Sequence, residues 1–465
     1  MSKGNTMNKS RFFNLIDSRG LLVAIVSLVA LSIFYISLKK SFIGDEIEAV
    51  HTAWKIAHGE RIYVDFIQHH HPFFYYFLAF LLPALKENWA TIILLRIVMF
   101  LMSLGVGYTA YLIARKAFDK EIGIISLGFL GTTIIFSTVI IQIRPDIPQV
   151  LFAAISVLFL VRYLESKELR YLTANAISLG ISFLFLQKAI IPLAATEIIL
   201  FIDAVRRNIK YKILPLHILI FIATLIPYYF YLLLTNSLDT YFQLNWVLNM
   251  HFKAHFSPLK FLGKSFAMNN LVWTFWLIGV CFFLKNRIQK YLALFSLIIF
   301  AFMWASKCPS DQYFLLLVIL VCILAANGLY SALGRSRALS AIVLLLGSLP
   351  LAYSIANLEY NDNDIKKASY VLAITKPGDY VYDGQNSFNL FREDIDYVWF
   401  GVGPNNVLDT YKRINKGYDY NIYRAIAEYK PRVISAYNIE DMNNPAIAGY
   451  YTKDNTYSEL YIRKK

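Results

Sequence analysis

The sequence predicts an α-helical, polytopic membrane protein with about eleven spans, followed by a small C-terminal α/β region outside the bilayer. Three observations carry this reading. Of 465 residues, 57% are hydrophobic and only 16% are charged, against about 45–50% and about 25% in ordinary soluble domains. The apolar residues gather in blocks long enough to cross a bilayer, a pattern that excludes a disordered chain and argues against a soluble one. After residue 357 the composition changes, and the chain becomes polar, tyrosine-rich and near neutral.

The first 20 residues are polar and basic (Lys3, Lys9, Arg11, Arg19) and read as a cytoplasmic N-terminus. An apolar run over 21–38 follows. Lys39-Lys40 comes next rather than a small-residue cleavage site, so this run is a retained first span. The further candidate spans are 90–114, 122–141, 147–164, 171–187, 189–203, 214–234, 270–284, 291–305, 312–333 and 338–357. The run 73–85 is too short to span comfortably and reads as an interfacial helix.

Charge parity supports that choice. With 73–85 left out, Arg115-Lys116-Lys120, Arg162-Lys167-Arg170, Arg206-Arg207-Lys210-Lys212, Lys285-Arg287-Lys290 and Arg335-Arg337 all share the side of the basic N-terminus. Counting it as a span would move every one of them across. The positive-inside rule therefore places these loops in the cytoplasm and 73–85 at the outer interface. The net charge of +14 thus reads as an orientation signal rather than a nucleic-acid footprint. The three cysteines, Cys281, Cys308 and Cys322, have neither disulfide-framework nor zinc-site spacing.

The same threading divides the chain into a cytoplasmic N-terminus (1–20), a membrane domain (21–357, with a first outer loop over 39–89) and an extracytoplasmic α/β domain (358–465). The turn at 144–146 and the segment 236–269 also fall outside. In the tail, β-like runs at 380–382, 397–400, 432–436 and 459–462 alternate with helix-like runs at 364–374 and 422–429. No Gly-rich nucleotide fingerprint occurs there, and the tail is assigned no catalytic role.

Two acidic motifs share the outer face. Ile43, Ile47, Val50, Trp54 and Ala57 recur at helical spacing, so 44–58 reads as an amphipathic helix on the membrane surface. Asp45 and Glu46 fall in its first turn, where they either complement the helix dipole or act chemically. Asp146 lies in Arg144-Pro145-Asp146, which either caps a helix start or joins the first motif. Five of the eight histidines lie between residues 51 and 71 (His51, His58, His69, His70, His71). Three consecutive histidines do not easily face one ion in regular structure, so a donor beside a lipid phosphate is the preferred reading over a metal site. Arg96, Arg144, Lys188 and Lys307 are cations in apolar surroundings near the outer face. Such charges either snorkel to headgroups or mark function.

Gly44-Asp45-Glu46 after the first span, Gly59-Glu60-Arg61-Ile62-Tyr63-Val64-Asp65-Phe66, and His71-Pro72 before Tyr75-Tyr76 resemble the first outer loop of GT-C fold membrane glycosyltransferases. The resemblance is to the protein O-mannosyltransferase-like branch, which includes the lipid A aminoarabinose transferase and lipopolysaccharide-core transferases. Arg144-Pro145-Asp146 resembles that branch's second acidic motif. Gln187-Lys188 and the stretch 307–313 resemble later positions more weakly. The likeness runs over residues 20–335 and is sharpest at 44–76 and 144–146.

This resemblance implies a GT-C fold and an inverting transfer of a sugar from a polyprenyl-phosphate donor. The acceptor would be a hydroxyl of a lipid or lipopolysaccharide, a glycan or a protein, at the outer face of the cytoplasmic (inner) membrane. It implies Asp45 as the base, with Glu46 and Asp146 shaping the acceptor and donor sites. His71, Arg96, Arg144, Lys188, Lys307 and Tyr75 are the candidates for meeting substrate or phosphate. Some members carry lysine where this chain has His71. No cofactor is demanded. The acidic motifs could hold a divalent cation, whose identity stays open. Membrane lipids are expected partners and nucleic acid is not. The alternatives are a transporter or flippase, or a polymerase acting on lipid-linked glycans. A transporter is expected to show internal repeats and midplane polar residues, and neither is visible in the sequence.

Overall fold

In hydrocarbon a backbone must satisfy its hydrogen bonds within its own segment, so apolar runs without breakers become long helices. The computed structural model describes residues 19–251, 257–305, 311–384, 386–395, 407–437 and 439–464. Its helices are α1 (Arg19–Lys39), α2 (Gly44–Ala57), α3 (Phe73–Leu81), α4 (Ala90–Ala117), α5 (Lys120–Thr132), α6 (Ile134–Val139), α7 (Asp146–Ser166), α8 (Leu169–Phe185), α9 (Ile190–Val205) and α10 (Ile213–Leu234). After a short helical segment near 238–251 come α11 (Pro258–Phe282), α12 (Arg287–Ala305), α13 (Leu315–Ala332), α14 (Arg337–Gly347) and α15 (Leu349–Ala356). Among the described residues, seven stretches are long and apolar enough to cross a membrane by length and composition.

The loops sort to two ends of the bundle. At one end Glu121 meets Arg19 and Arg337, Asp119 meets Arg335, and Lys116 meets Glu165. There Asp203 accepts from Lys167 at 2.7 Å, Arg287 at 3.1 Å and Tyr291 at 3.0 Å. At the other end Arg144 meets Asp45, Lys188 meets Asp146, and Lys40 bridges to Tyr360. The basic loops named from the sequence thus gather opposite both acidic motifs. The 73–85 run forms a short helix: α3 is nine residues long, ends in a 3-10 turn at Leu82–Ala84, and packs on α2.

Three predicted spans differ in detail. The run 122–141 breaks at Thr133, whose ψ of 131° is extended. Facing it, α11 carries Asn269 at non-helical φ −133°, ψ 39°. The Asn269 side chain accepts from Ile134 N–H at 3.3 Å and donates to Thr132 O at 3.4 Å. Both breaks are thus served by one amide, a general means of tolerating broken helices at membrane depth. The span 270–284 is extended at its start by α11, and 338–357 divides into α14 and α15.

Helix α13 is the centre of the bundle, with every residue from Leu315 to Tyr330 buried. Its contact with α11 is made by glycines. A Cβ on Gly328 would lie 2.0 Å from Phe275 O, and one on Gly279 would lie 2.3 Å from Leu324 O. Backbones this close need small residues. Gly328→Ala is therefore expected to cost about 1–3 kcal/mol and to lower the melting temperature in detergent. Gly347→Ala, where a Cβ would stand 3.9 Å from Thr132 Oγ1, serves as the neutral control. Equal melting of the two variants would contradict the close crossing.

The C-terminal region holds α16 (Asp362–Ile374), α17 (Val407–Ile414), α18 (Ile422–Tyr429) and a five-stranded mixed sheet. Its strands are β1 (Tyr380–Tyr382), β2 (Glu393–Asp394), β3 (Val433–Ser435), β4 (Tyr451–Lys453) and β5 (Leu460–Arg463), in the order β2-β1-β3-β5-β4. β1 pairs parallel with β2 and β3, while β5 is antiparallel to β3 and β4. The predicted run 397–400 lies outside the described residues. The region is tied to the membrane part at its start: Ser41 N–H donates to Glu359 O at 2.8 Å, and Phe42 N–H to Asp364 Oδ2 at 2.7 Å.

Candidate active site

Helix α2 forms as the apolar spacing predicts, but it is not a helix resting on a surface. Residues 46–55 are all buried, because α3 covers one side and the C-terminal sheet another. Lys55 Nζ lies 2.9 Å from Asp394 Oδ1 and 3.1 Å from Glu60 Oε2, and His51 Nδ1 is 3.3 Å from Leu390 O. Burial by itself would raise the Asp394 pKa. The His51 hydrogen bond and the Lys55 charge outweigh it and hold the carboxyl at about 2. The tail therefore fixes the helix that carries the first acidic motif.

At the N-terminus of α2, four charges of alternating sign form a row. The Asp45 carboxylate is half exposed, and Arg144 Nη2 reaches its Oδ2 at 2.7 Å. Arg144 Nε faces Asp146 Oδ2 at 3.5 Å. Asp146 Oδ1 accepts from Lys188 Nζ, which also lies 4.4 Å over the Tyr313 ring. The row joins α2, the turn before α7 and the turn between α8 and α9. Burial lowers the Lys188 pKa below the ordinary lysine value, with Asp146 pushing the other way. Burial would also lower that of Arg144, but Asp45 and Asp146 raise it further. The arrangement can present an open carboxylate and two cations to one ligand.

Other predicted residues stand elsewhere. Glu46 and Arg96 are consumed by each other: both are fully buried, with Nε to Oε1 at 2.7 Å and Nη2 to Oε2 at 2.5 Å. Arg96 also donates to the carbonyls of Ser37, Lys40 and Ser41. Glu46 also accepts from the backbone N–H of Ile43 and Ile143. The pair clamps α1, α2, α4 and the turn before Arg144, rather than facing an open site.

His71 is likewise turned inward. Its Nδ1 lies 3.2 Å from Leu184 O, which can only accept, so its Nε2 accepts from Tyr241 Oη at 2.8 Å. Burial pulls its pKa down to about 4. It is neutral near pH 7, unlike the lysine that some members of the resembled branch carry there. Tyr75 is buried at 2% exposure in α3, within electrostatic reach of Glu48, Asp45 and Arg144. Lys307 lies outside the described residues.

Sequence reasoning missed what stands beside the row. Glu48, one turn after Asp45 on α2, meets His69 and His70, and their candidate ligand atoms lie within 4.8 Å of one another. The signal was present as the i, i+3 spacing of Asp45 and Glu48, which puts both on one helix face.

A family model described as dolichyl-phosphate-mannose-protein mannosyltransferase matches residues 69–231, a stretch that includes His71, Arg96, Arg144, Asp146 and Lys188. No curated protein matches the chain in sequence. Among solved structures, the chain is similar to ArnT from Cupriavidus metallidurans bound to undecaprenyl phosphate. The TM-score is 0.68 at 12% identity, over 96% of this chain and 98% of that one. The apo state of the same protein gives a TM-score of 0.63 at 12% identity, over 89% and 92%. The oligosaccharyltransferase of Archaeoglobus fulgidus in its apo form gives 0.57 at 11% identity, over 90% and 69%. Together with the span-length helices and the small C-terminal sheet, these likenesses make the chain a multi-pass membrane protein of the GT-C glycosyltransferase fold.

Proposed function

We propose that the protein is an inverting glycosyltransferase that moves a sugar from a polyprenyl-phosphate donor to an acceptor hydroxyl at the outer face of the cytoplasmic membrane. The single observation that carries this is the row Asp45–Arg144–Asp146–Lys188 at one end of a GT-C bundle. Inversion needs a base on one side of the sugar and a stabilised leaving group on the other. Asp45 is the open carboxylate and takes the acceptor proton. Arg144 and Lys188 meet the leaving phosphate, whose developing charge needs cations already in position.

Arg144 has a double part in this scheme. Without substrate it neutralises Asp45. An arriving phosphate competes for the same guanidinium and leaves Asp45 free to accept a proton. Asp146 pairs with both cations and holds them side by side. Glu46 and Arg96 position the row without touching substrate, and His71 and Tyr75 shape its wall. The likeness to a structure bound to undecaprenyl phosphate supports a polyprenyl donor. The gathering of basic loops at the opposite end supports an outward-facing site by the positive-inside rule. Residues 358–465 form an extracytoplasmic α/β domain that braces α2 through Asp394.

A transporter would hold its polar groups near the midplane, whereas this row caps the ends of helices. The test is a purified-protein assay with a polyprenyl-phosphate sugar labelled in the sugar, together with candidate acceptors. Free polyprenyl phosphate is expected to appear in step with labelled product. Translocation of intact donor across a vesicle membrane without release would overturn the reading.

A further inference from the structure

From Glu48, His69 and His70 we infer a binding site for a borderline divalent cation of the Zn2+ type, next to the charged row. Their ligand atoms already lie within 4.8 Å of one another. A tetrahedral ion with bonds of about 2.1 Å needs them about 3.4 Å apart, so modest rotation of two rings and a carboxylate closes the set. Two imidazoles and one carboxylate suit zinc better than the oxygen-seeking Mg2+ or Ca2+. Three protein ligands leave a fourth position for water or a substrate oxygen.

The surroundings are built to hold these groups. The loop before α3 is irregular, which lets two neighbouring histidines turn the same way while His71 turns inward. Gln68 is its pivot: its Oε1 accepts from the backbone N–H of His69 at 2.8 Å and of His70 at 3.2 Å. Its Nε2 donates to Glu48 Oε1 at 2.9 Å and Thr52 Oγ1 at 3.2 Å. The same amide thus orders the histidine loop and orients the carboxylate, as outer-shell partners of metal ligands do. The carbonyls of His70 and His69 are in turn held by Tyr63 Oη at 2.6 Å and Asn249 Nδ2 at 3.4 Å.

Glu48 is 6% exposed and accepts from the Gln68 amide. A bound cation would offset the cost of burying this carboxylate.

The site is tested by titrating the full-length, detergent-solubilised, metal-stripped chain with Zn2+ at neutral pH. One equivalent is expected to bind saturably, and Glu48→Gln and His69→Ala are each expected to weaken it at least tenfold. X-ray absorption at the zinc edge of the loaded parent is expected to read two imidazoles and oxygen, a result that does not depend on how the variants fold. Absence of saturable binding, a loss of less than threefold in either variant, or a shell without imidazole would overturn the site. No sugar donor enters the measurement, so its failure is distinguishable from failure of the transferase reading.

Discussion

Asp45→Asn is expected to remove transfer and leave the protein folded. The two effects separate because of where this carboxylate stands. Its side chain is 53% exposed, and it pairs with Arg144 at 2.7 Å. A pair this open to solvent contributes about 0–1 kcal/mol, so the melting temperature in detergent should scarcely move. General-base catalysis is worth about 10²–10⁴-fold, and asparagine retains the shape of the group without its basicity. Single-turnover transfer from labelled donor should fall by that factor. Lys188→Met makes a contrast, since it removes a cation proposed to hold the donor phosphate and should weaken donor binding as well as turnover. If Asp45→Asn turns over within threefold of the parent, Asp45 is not the base, and Glu48 becomes the next carboxylate to examine.

Much of the membrane part was legible because hydrocarbon leaves the backbone little choice. Apolar runs became helices, and the run over 73–85 is as short a helix as its length implied. The breaks were not legible. The interruption at Thr133 depends on an amide at Asn269, far along the chain, and no local signal reports such a pairing. In the tail, Ile422–Tyr429 and Tyr380–Tyr382 were found where periodicity put them. β2 was missed because it is two acidic residues, Glu393 and Asp394, held partly by Lys55 on α2. β4 was missed because two of its three side chains face solvent.

The site was legible to the extent that lone charges in apolar surroundings must find partners. This argument picked out Arg96, Arg144, Lys188 and Lys307, and the shared outer face picked out Asp45, Glu46 and Asp146; all but Lys307, which lies outside the described residues, are engaged in ion pairs. It did not say who pairs with whom. Glu46 and Asp45 are neighbours, yet the first turn of α2 sends one into the bundle and the other toward solvent. The three histidines divide for a similar reason: Gln68 turns the backbone so that His69 and His70 face Glu48, while His71 meets Tyr241.

Breaking the Glu46–Arg96 clamp should have the largest effect on stability. Every N–H of the Arg96 guanidinium has a partner: two contacts to Glu46 and three to the carbonyls of Ser37, Lys40 and Ser41. Arg96→Met leaves a buried carboxylate without its cation, which costs about 3–5 kcal/mol and should appear as a large fall in melting temperature. Replacing both members of a buried pair by uncharged groups of similar volume is often far less damaging than removing one. Glu46→Met combined with Arg96→Met should therefore recover part of the lost stability. It should not recover transfer. Glu46 accepts from Ile143 N–H at 3.1 Å, and through that bond it fixes the backbone that carries Arg144 and Asp146. A positioning role is thus separable from a purely structural one: a stable double variant with full activity would remove it, and Arg96→Met melting with the parent would remove the clamp itself.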